Sequence, residues 1–210
     1  MTAFDHFIYG GADLDAMRAD FAGFTGVEPS VGGCHPGMGT RNALASLDGG
    51  VYLELLAPDP QQPQQANMGA RVGAFARSQL FAYMLKAAGG ELEAAQAVLE
   101  RGGIASDLID ASRATPDGAT LRWRLLVPRA NPFGDHLPKF IDWLHTPHPS
   151  TSAARGCGFE AFELGHPRAD ELAALLRELG VPLPVHAADR PYQLLRIRTP
   201  RGARVLTSQG

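Results

Sequence analysis

A histidine in the first apolar run and two carboxylates in later ones are the residues best suited to chemistry. They are His6, near the start of the chain, Glu54 in Tyr52-Leu53-Glu54-Leu55-Leu56, and Asp142 in Phe140-Ile141-Asp142-Trp143-Leu144. An unpaired buried carboxylate costs several kcal/mol. Such residues are therefore paired, bound to a metal or turned to a wet cavity, unless they sit on the solvent face of their strands. Imidazole plus carboxylate oxygens is a donor set suited to divalent Zn, Fe, Mn, Ni or Co. His35 lies in the Gly-rich stretch Gly32-Gly33-Cys34-His35-Pro36-Gly37, where glycines let the backbone approach a ligand closely. A neutral imidazole there could serve as acid or base, or it is an exposed turn histidine. Arg41 and Asn42 follow and suit a carboxylate or carbonyl, though both could be ordinary surface residues. His145 and His148 crowd the end of the Asp142 run, where Thr146-Pro147-His148-Pro149 forms a rigid loop. Cys34 beside His35 has no evident third group to orient it as a nucleophile.

The elements that must position these residues follow a repeat. Three helix-like runs end in Gly followed by a β-branched residue, at Gly26-Val27, Gly103-Ile104 and Gly180-Val181, and the two intervals are equal. Each time an apolar strand-like run, a helix, the Gly stop and extended segments recur, which indicates a duplicated unit. The expected organisation is a first βαβββ unit over 1–58, a linker with a short helix over 59–79, a second unit over 80–150 and a third, partial or complete, over 151–210, all in one structural domain. Asp13 and Asp170 are expected N-caps. The helices should turn Leu14, Met17, Phe21 and Phe24, then Leu92, Ala95, Val98 and Leu99, then Leu172, Leu175, Leu176 and Leu179 to the core. Asp48-Gly49-Gly50 reads as a hairpin turn, and the Pro- and Gln-rich run at 58–65 as a polar linker. Shifting by the repeat interval puts His6 over Tyr83 and Glu160. Helices on one side of a strand-rich chain make the class α+β.

At 210 residues, with 45% hydrophobic and 20% charged, the chain is an ordinary globular one that can bury a sizeable core. Lys+Arg at 19 against Asp+Glu at 22, net −3, with no basic run, gives no electrostatic reason to expect nucleic acid. No stretch approaches the roughly 18 unbroken apolar residues of a membrane helix. The N-terminus lacks the basic and apolar regions of a signal peptide. Cys34 and Cys157 have no metal-type spacing, and two reduced thiols fit a cytoplasmic protein.

The βαβββ repeat, His6, Gly33-Cys34-His35-Pro36-Gly37-Met38-Gly39-Thr40-Arg41-Asn42 and Tyr52-Leu53-Glu54-Leu55 resemble the glyoxalase-like branch of the vicinal-oxygen-chelate superfamily. Leu121-Arg122-Trp123-Arg124-Leu125, Phe140-Ile141-Asp142-Trp143 and His148-Pro149-Ser150 are similar to the second half of the same branch. The resemblance implies a cupped mixed sheet with helices outside. It also implies a divalent metal held by one residue from the first and one from the closing strand of two units. Here the first unit supplies His6 and Glu54, and the second supplies Asp142 but has Tyr83 on its first strand. The third has Glu160, with no carboxylate in Arg204-Val205-Leu206-Thr207. Three ligands plus water is the fullest set, so the cofactor is a divalent metal or none. The implied activity is that of a metal-dependent lyase, isomerase or dioxygenase on a small oxygenated molecule, with the metal as Lewis acid. The alternative is a metal-free pocket that sequesters a small planar compound, as bleomycin-resistance proteins do. In the enzyme reading His35 is the catalytic candidate, and Arg41, Asn42, Tyr83, Trp123, Trp143 and His148 are the candidate ligand contacts. Expected partners are a small molecule and, for a homodimer, a second copy of the chain.

Overall fold

A computed structural model describes residues 3–114, 120–181 and 183–208. The first part of the chain runs β1 (Phe4–Gly10), α1 (Leu14–Thr25), β2 (Ser30–His35), β3 (Thr40–Ser46) and β4 (Tyr52–Pro58). Next come α2 (Met68–Gly73), β5 (Gln79–Lys86), α3 (Glu91–Arg101), β6 (Ser106–Ala114), β7 (Thr120–Pro128) and β8 (Lys139–Asp142). The remainder is β9 (Gly158–His166), α4 (Ala169–Glu178), β10 (Val185–Ala187), β11 (Tyr192–Thr199) and β12 (Gly202–Thr207).

Among the described residues, the first eight strands form one mixed sheet in the order β2-β3-β4-β1-β5-β8-β7-β6. Each half repeats one pairing: the first strand lies parallel to the closing strand, β1 to β4 and β5 to β8. The halves join through antiparallel β1 and β5, and the outer strands β2 and β6 come together, which cups the sheet. The last four strands have the same chain order but a different pairing, β10-β9-β11-β12, in which β12 does not reach β9. They form a second sheet over the convex face of the first. Phe4, Phe7 and Tyr83 pack there against Phe159 and Phe162 in one aromatic cluster.

Strand alternation separates the two faces. Phe7, Leu53, Leu55, Tyr83, Leu85 and Phe140 face the convex core with α1, α3 and α4, while Ile8, Leu56, Met84, Trp123, Leu125 and Ile141 face the concave side. The helix faces largely follow the apolar spacing, with one exception. Phe24 is 43% exposed beneath the Arg204 guanidinium, and the inward position of the last turn of α1 belongs to Thr25. Leu14, Met17 and Phe21 lead by helical spacing to Thr25 as well as to Phe24. Thr25 can be buried because its hydroxyl donates to the Phe21 carbonyl at 2.7 Å. Asp13 caps α1, whereas α4 starts two residues earlier than its aspartate suggests: Arg168 occupies the N-cap and Asp170 the first turn.

The segment between the halves is more than a spacer. The Gln64 amide donates to the carbonyls of Gly39 and Asp59, and Asp59, itself buried, accepts from Gln62. α2 lies directly on the loop after β2: a Cβ on Gly69 would stand 2.0 Å from the Gly39 carbonyl oxygen. These bonds hold the His35–Gly39 loop over the concave face.

Gly26, Gly103 and Gly180 all have left-handed backbones, with φ of 82, 72 and 74°. After α3 and α4 the next amide bonds back to the helix, Ile104 N–H to Leu99 O at 2.9 Å and Val181 N–H to Leu176 O at 2.8 Å. Nothing lies within 4 Å of a Cβ placed on Gly103, so substitution there is opposed by conformation alone. Gly103→Ala should destabilise the fold by about 1 kcal/mol, read as a shifted urea midpoint with unchanged slope.

Candidate functional site

The concave face encloses a cavity of about 750 Å³. Its histidines and Glu54 come from the first half of the sheet, and the second half adds a mainly apolar wall interrupted by Asp110, Ser112 and Lys139. Tyr52–His6–Met84–Lys139 form one row across four strands, and Leu44–Glu54–Ile8–Ala82 form the next. Thr40 and Asn42 of β3, and Trp123, Leu125, Ile141 and Trp143 from β7, β8 and the residue after it, also line the cavity. Pro36 and Met38, with Ala66 and Met68 at the start of α2, form its rim.

Asp5 and His6 anchor the floor. The register steps from Phe4 opposite Leu85 to His6 opposite Met84, so Asp5 is the extra residue of a β-bulge. A bulge re-aims side chains, and this one brings Asp5 beside its own neighbour. His6 Nδ1 donates to Asp5 Oδ1 at 2.6 Å, while Asp5 Oδ2 accepts from Trp143 Nε1 at 3.0 Å and from His148 Nε2 at 2.9 Å. Asp5 is fully buried. Burial alone would raise its pKa, but the bonds and charge of His148 and His6 outweigh it and hold the carboxyl well below its ordinary range. His148 receives the Ser150 N–H on Nδ1 and so carries its proton on Nε2, toward Asp5.

With Nδ1 committed to Asp5, His6 presents Nε2 to the cavity. The ring stacks on Tyr52 with centroids 4.5 Å apart, and Nε2 lies 3.6 Å from Glu54 Oε2. The other Glu54 oxygen accepts from Asn42 Nδ2 at 2.6 Å and lies 3.8 Å from His35 Nε2. Asn42 Oδ1 accepts the Gly33 N–H at 2.8 Å, and His35 Nδ1 meets Thr40 Oγ1 at 2.9 Å. Asp5, His6, Glu54, Asn42 and His35 thus form one polar chain running from the buried core to the mouth. Its titratable members His6, Glu54 and His35 are groups of the kind that accept or release a proton. From the second half, Lys139 lines the same cavity. Burial lowers the Lys139 pKa; Asp135, 3.8 Å away, opposes this and Arg71 adds to it.

His6, His35, Asn42, Glu54, Trp123 and Trp143 meet in this cavity. His148 stands behind it, bonded to Asp5. Arg41, Tyr83 and Asp142 are not among its lining residues, and strand parity explains all three. Arg41 alternates with Thr40 and Asn42 and pairs with Asp15 on the helix side at 3.2 Å. Tyr83 alternates with Met84, and its hydroxyl donates to the His136 carbonyl at 2.8 Å inside the convex core. Asp142 alternates with Ile141 and Trp143, and its Oδ1 accepts the Leu144 N–H at 2.8 Å where β8 ends. Glu160 is exposed on the second sheet, and Cys34 is exposed beside His35. Asp5 and Lys139 carried no signal in the sequence, because an Asp-His pair and one lysine before an apolar strand are ordinary surface patterns.

A metal ligated by both halves does not fit these residues. Opposite His6 and Glu54 the second half presents Met84, Ile141 and the cation Lys139. Among the described residues no group of three or more His, Cys, Asp or Glu is arranged to hold a metal ion.

Residues 4–180 match the sequence pattern of the glyoxalase-like domain. The chain belongs to the glyoxalase-like domain family. No curated protein matches it at a significant level. Among solved structures, a hypothetical protein from Staphylococcus aureus superposes with a TM-score of 0.66 at 17% identity, covering 100% of this chain and 87% of that one. Methylmalonyl-CoA epimerase from Mycobacterium tuberculosis aligns with 68% of this chain and 88% of its own, at 15% identity and a TM-score of 0.46. This glyoxalase-like chain has the cupped mixed sheet with outer helices that its sequence implies, and among the described residues no helix is long and apolar enough to cross a membrane.

Replacing Asp5 by Asn leaves three N–H donors facing an amide with a single acceptor oxygen. The variant should lose about 3 kcal/mol of stability in urea melts near neutral pH, the scale for breaking a buried charged network. The depressed native pKa makes the carboxylate's stabilisation complete above the unfolded value of about 3.9 and lost as pH falls through the native one. The difference between wild type and Asp5→Asn should therefore shrink in strong acid.

Proposed function

We propose that this glyoxalase-like protein is a metal-independent lyase or isomerase that moves a proton on a small, partly planar carbonyl or carboxylate compound. One observation carries the reading: a proton-accepting pair, His6 Nε2 and Glu54, faces a lysine across a single concave cavity. His6 and Lys139 lie two strand spacings apart in one row, roughly 10 Å between backbones, which leaves room for a substrate of a few atoms between their side chains. His6 Nε2, held by Asp5, takes the proton from the carbon next to the carbonyl. The electron pair of that C–H bond moves to the carbonyl oxygen, and the Lys139 ammonium stabilises the enolate. The proton then returns to a different position, completing an isomerisation, or the enolate expels a leaving group from the adjacent carbon. Trp123 and Trp143, 5.3 Å apart, supply apolar faces for the planar part of the substrate. His35, at the mouth, recognises a polar group of the ligand and serves as the second acid or base. The protein then works with a small molecule as its partner and needs no metal.

The aromatic wall also favours a second reading, in which the cavity sequesters a planar compound without turnover. Deuterium wash-in separates the two. A panel of small 2-oxo and 3-oxo acids, selected first by thermal shift, is incubated with the protein in D₂O and followed by proton NMR. Proton-transfer catalysis predicts exchange at one carbon, reduced about 10²–10⁴-fold in His6→Ala and Glu54→Gln. Binding without exchange would establish sequestration instead. Lys139→Met should raise KM and lower kcat together. Because burial lowers the lysine pKa, wild-type exchange should fall on the alkaline side before the ordinary lysine range is reached. His35→Ala should leave the melting temperature nearly unchanged and weaken ligand binding by about 1–3 kcal/mol. Metal analysis of the purified protein should find less than one equivalent, and a chelator should leave exchange intact.

A further inference from the structure

A second cavity, about 550 Å³, lies between the cupped sheet and the second sheet. It owes nothing to the acid–base chain. Arg71 and Arg190 both line it, and Asp135 is the acidic residue in its lining. Arg71 already pairs with Asp135 and lies over the Phe81 ring at 5.4 Å. Arg190 is exposed at the opening. His166 accepts the Arg168 N–H on Nδ1 at 3.0 Å, so its neutral ring carries a hydrogen on Nε2. Phe75, Phe81 and Phe133 give the cavity flat apolar walls.

Gln193 closes part of the cavity wall. It is 1% exposed, and its Nε2 donates to the Asp135 carbonyl at 2.8 Å. Its Oε1 has no hydrogen-bond partner. Two guanidinium groups balanced by one carboxylate leave net positive charge in a cavity with aromatic walls. That combination suits an oxyanion carried on a flat ring.

We infer that this second cavity is a binding site for a small aromatic or heteroaromatic oxyanion, its carboxylate or phosphate held between Arg71 and Arg190 and its ring against the phenylalanines. Phe81, the extra residue where β5 bulges against β1, lines both cavities and separates the two sites. The inference does not rest on the proposed activity.

The test uses the whole chain labelled with ¹⁵N and three probes: benzoate, phenyl phosphate and uncharged benzamide. The site predicts saturable amide shifts with at least one of the two anions, clustered around Arg190, Gln193 and Ser208. It also predicts binding of benzamide about tenfold weaker or worse. Arg190→Ala, at an exposed position and so harmless to the fold, should weaken the anions by a similar factor. His6→Ala should leave them unaffected. Either carboxylate or phosphate as the preferred anion fits the site, and the comparison identifies which. Benzamide binding as tightly as the anions, shifts confined to residues around His35 and Asn42, unaltered affinity in Arg190→Ala, or no saturation by either anion at millimolar concentration would each overturn it.

Discussion

The fully buried Asp5 carboxylate is the point on which the concave site depends. It accepts from His6, from the Trp143 indole and from His148, so it ties the first strand of one half to the end of the other and to the loop beyond it. A carboxylate in that position is tolerable only when its hydrogen bonds are satisfied and its partners can share the charge. The same bonds select the His6 tautomer and leave Nε2 as its only atom free to face the cavity. Core integrity and site geometry are therefore the same interaction seen from two sides.

Around this point the two halves of the cup have diverged in chemistry while keeping one backbone plan. The first half contributes imidazole, carboxylate and amide groups, and the second contributes Met84, Ile141, Trp123 and Lys139 at facing positions. A symmetric cup with ligands from both sides would hold a cation. An asymmetric one, with proton acceptors on one side and an ammonium on the other, suits a substrate that develops negative charge on oxygen. The third set of strands adds no wall to the cavity. It covers the convex face, where Tyr83 and Phe162 are packed, and it creates the second cavity along its seam with the first sheet.

Much of the plan was legible in the chain itself. The strand and helix order followed from apolar periodicity, and three glycines at equal intervals marked backbone positions that only a left-handed residue fills. His6 and Glu54 were legible because a titratable group inside an apolar strand has few inexpensive places to be. Helix ends and turns are local, decided by residues a few positions apart, and so local reasoning reaches them.

The face of the sheet that each residue occupies was decided by tertiary structure. Arg41, Tyr83 and Asp142 each sit one residue from a cavity position, and in a strand one residue is the difference between the cavity and the helix side. The repeat interval aligned His6 with Tyr83, whereas the residue facing the cavity in the same row is Met84. A bulge has the opposite effect at Asp5. Simple alternation would send its side chain away from His6, and the extra residue brings the two together. Lys139 became part of the site only when β5 and β8 were paired. The sequence alone determined the elements, their order and the family to which they belong. Register, bulges and the packing of distant strands decided which side chains meet, because those depend on contacts between residues that no local pattern links.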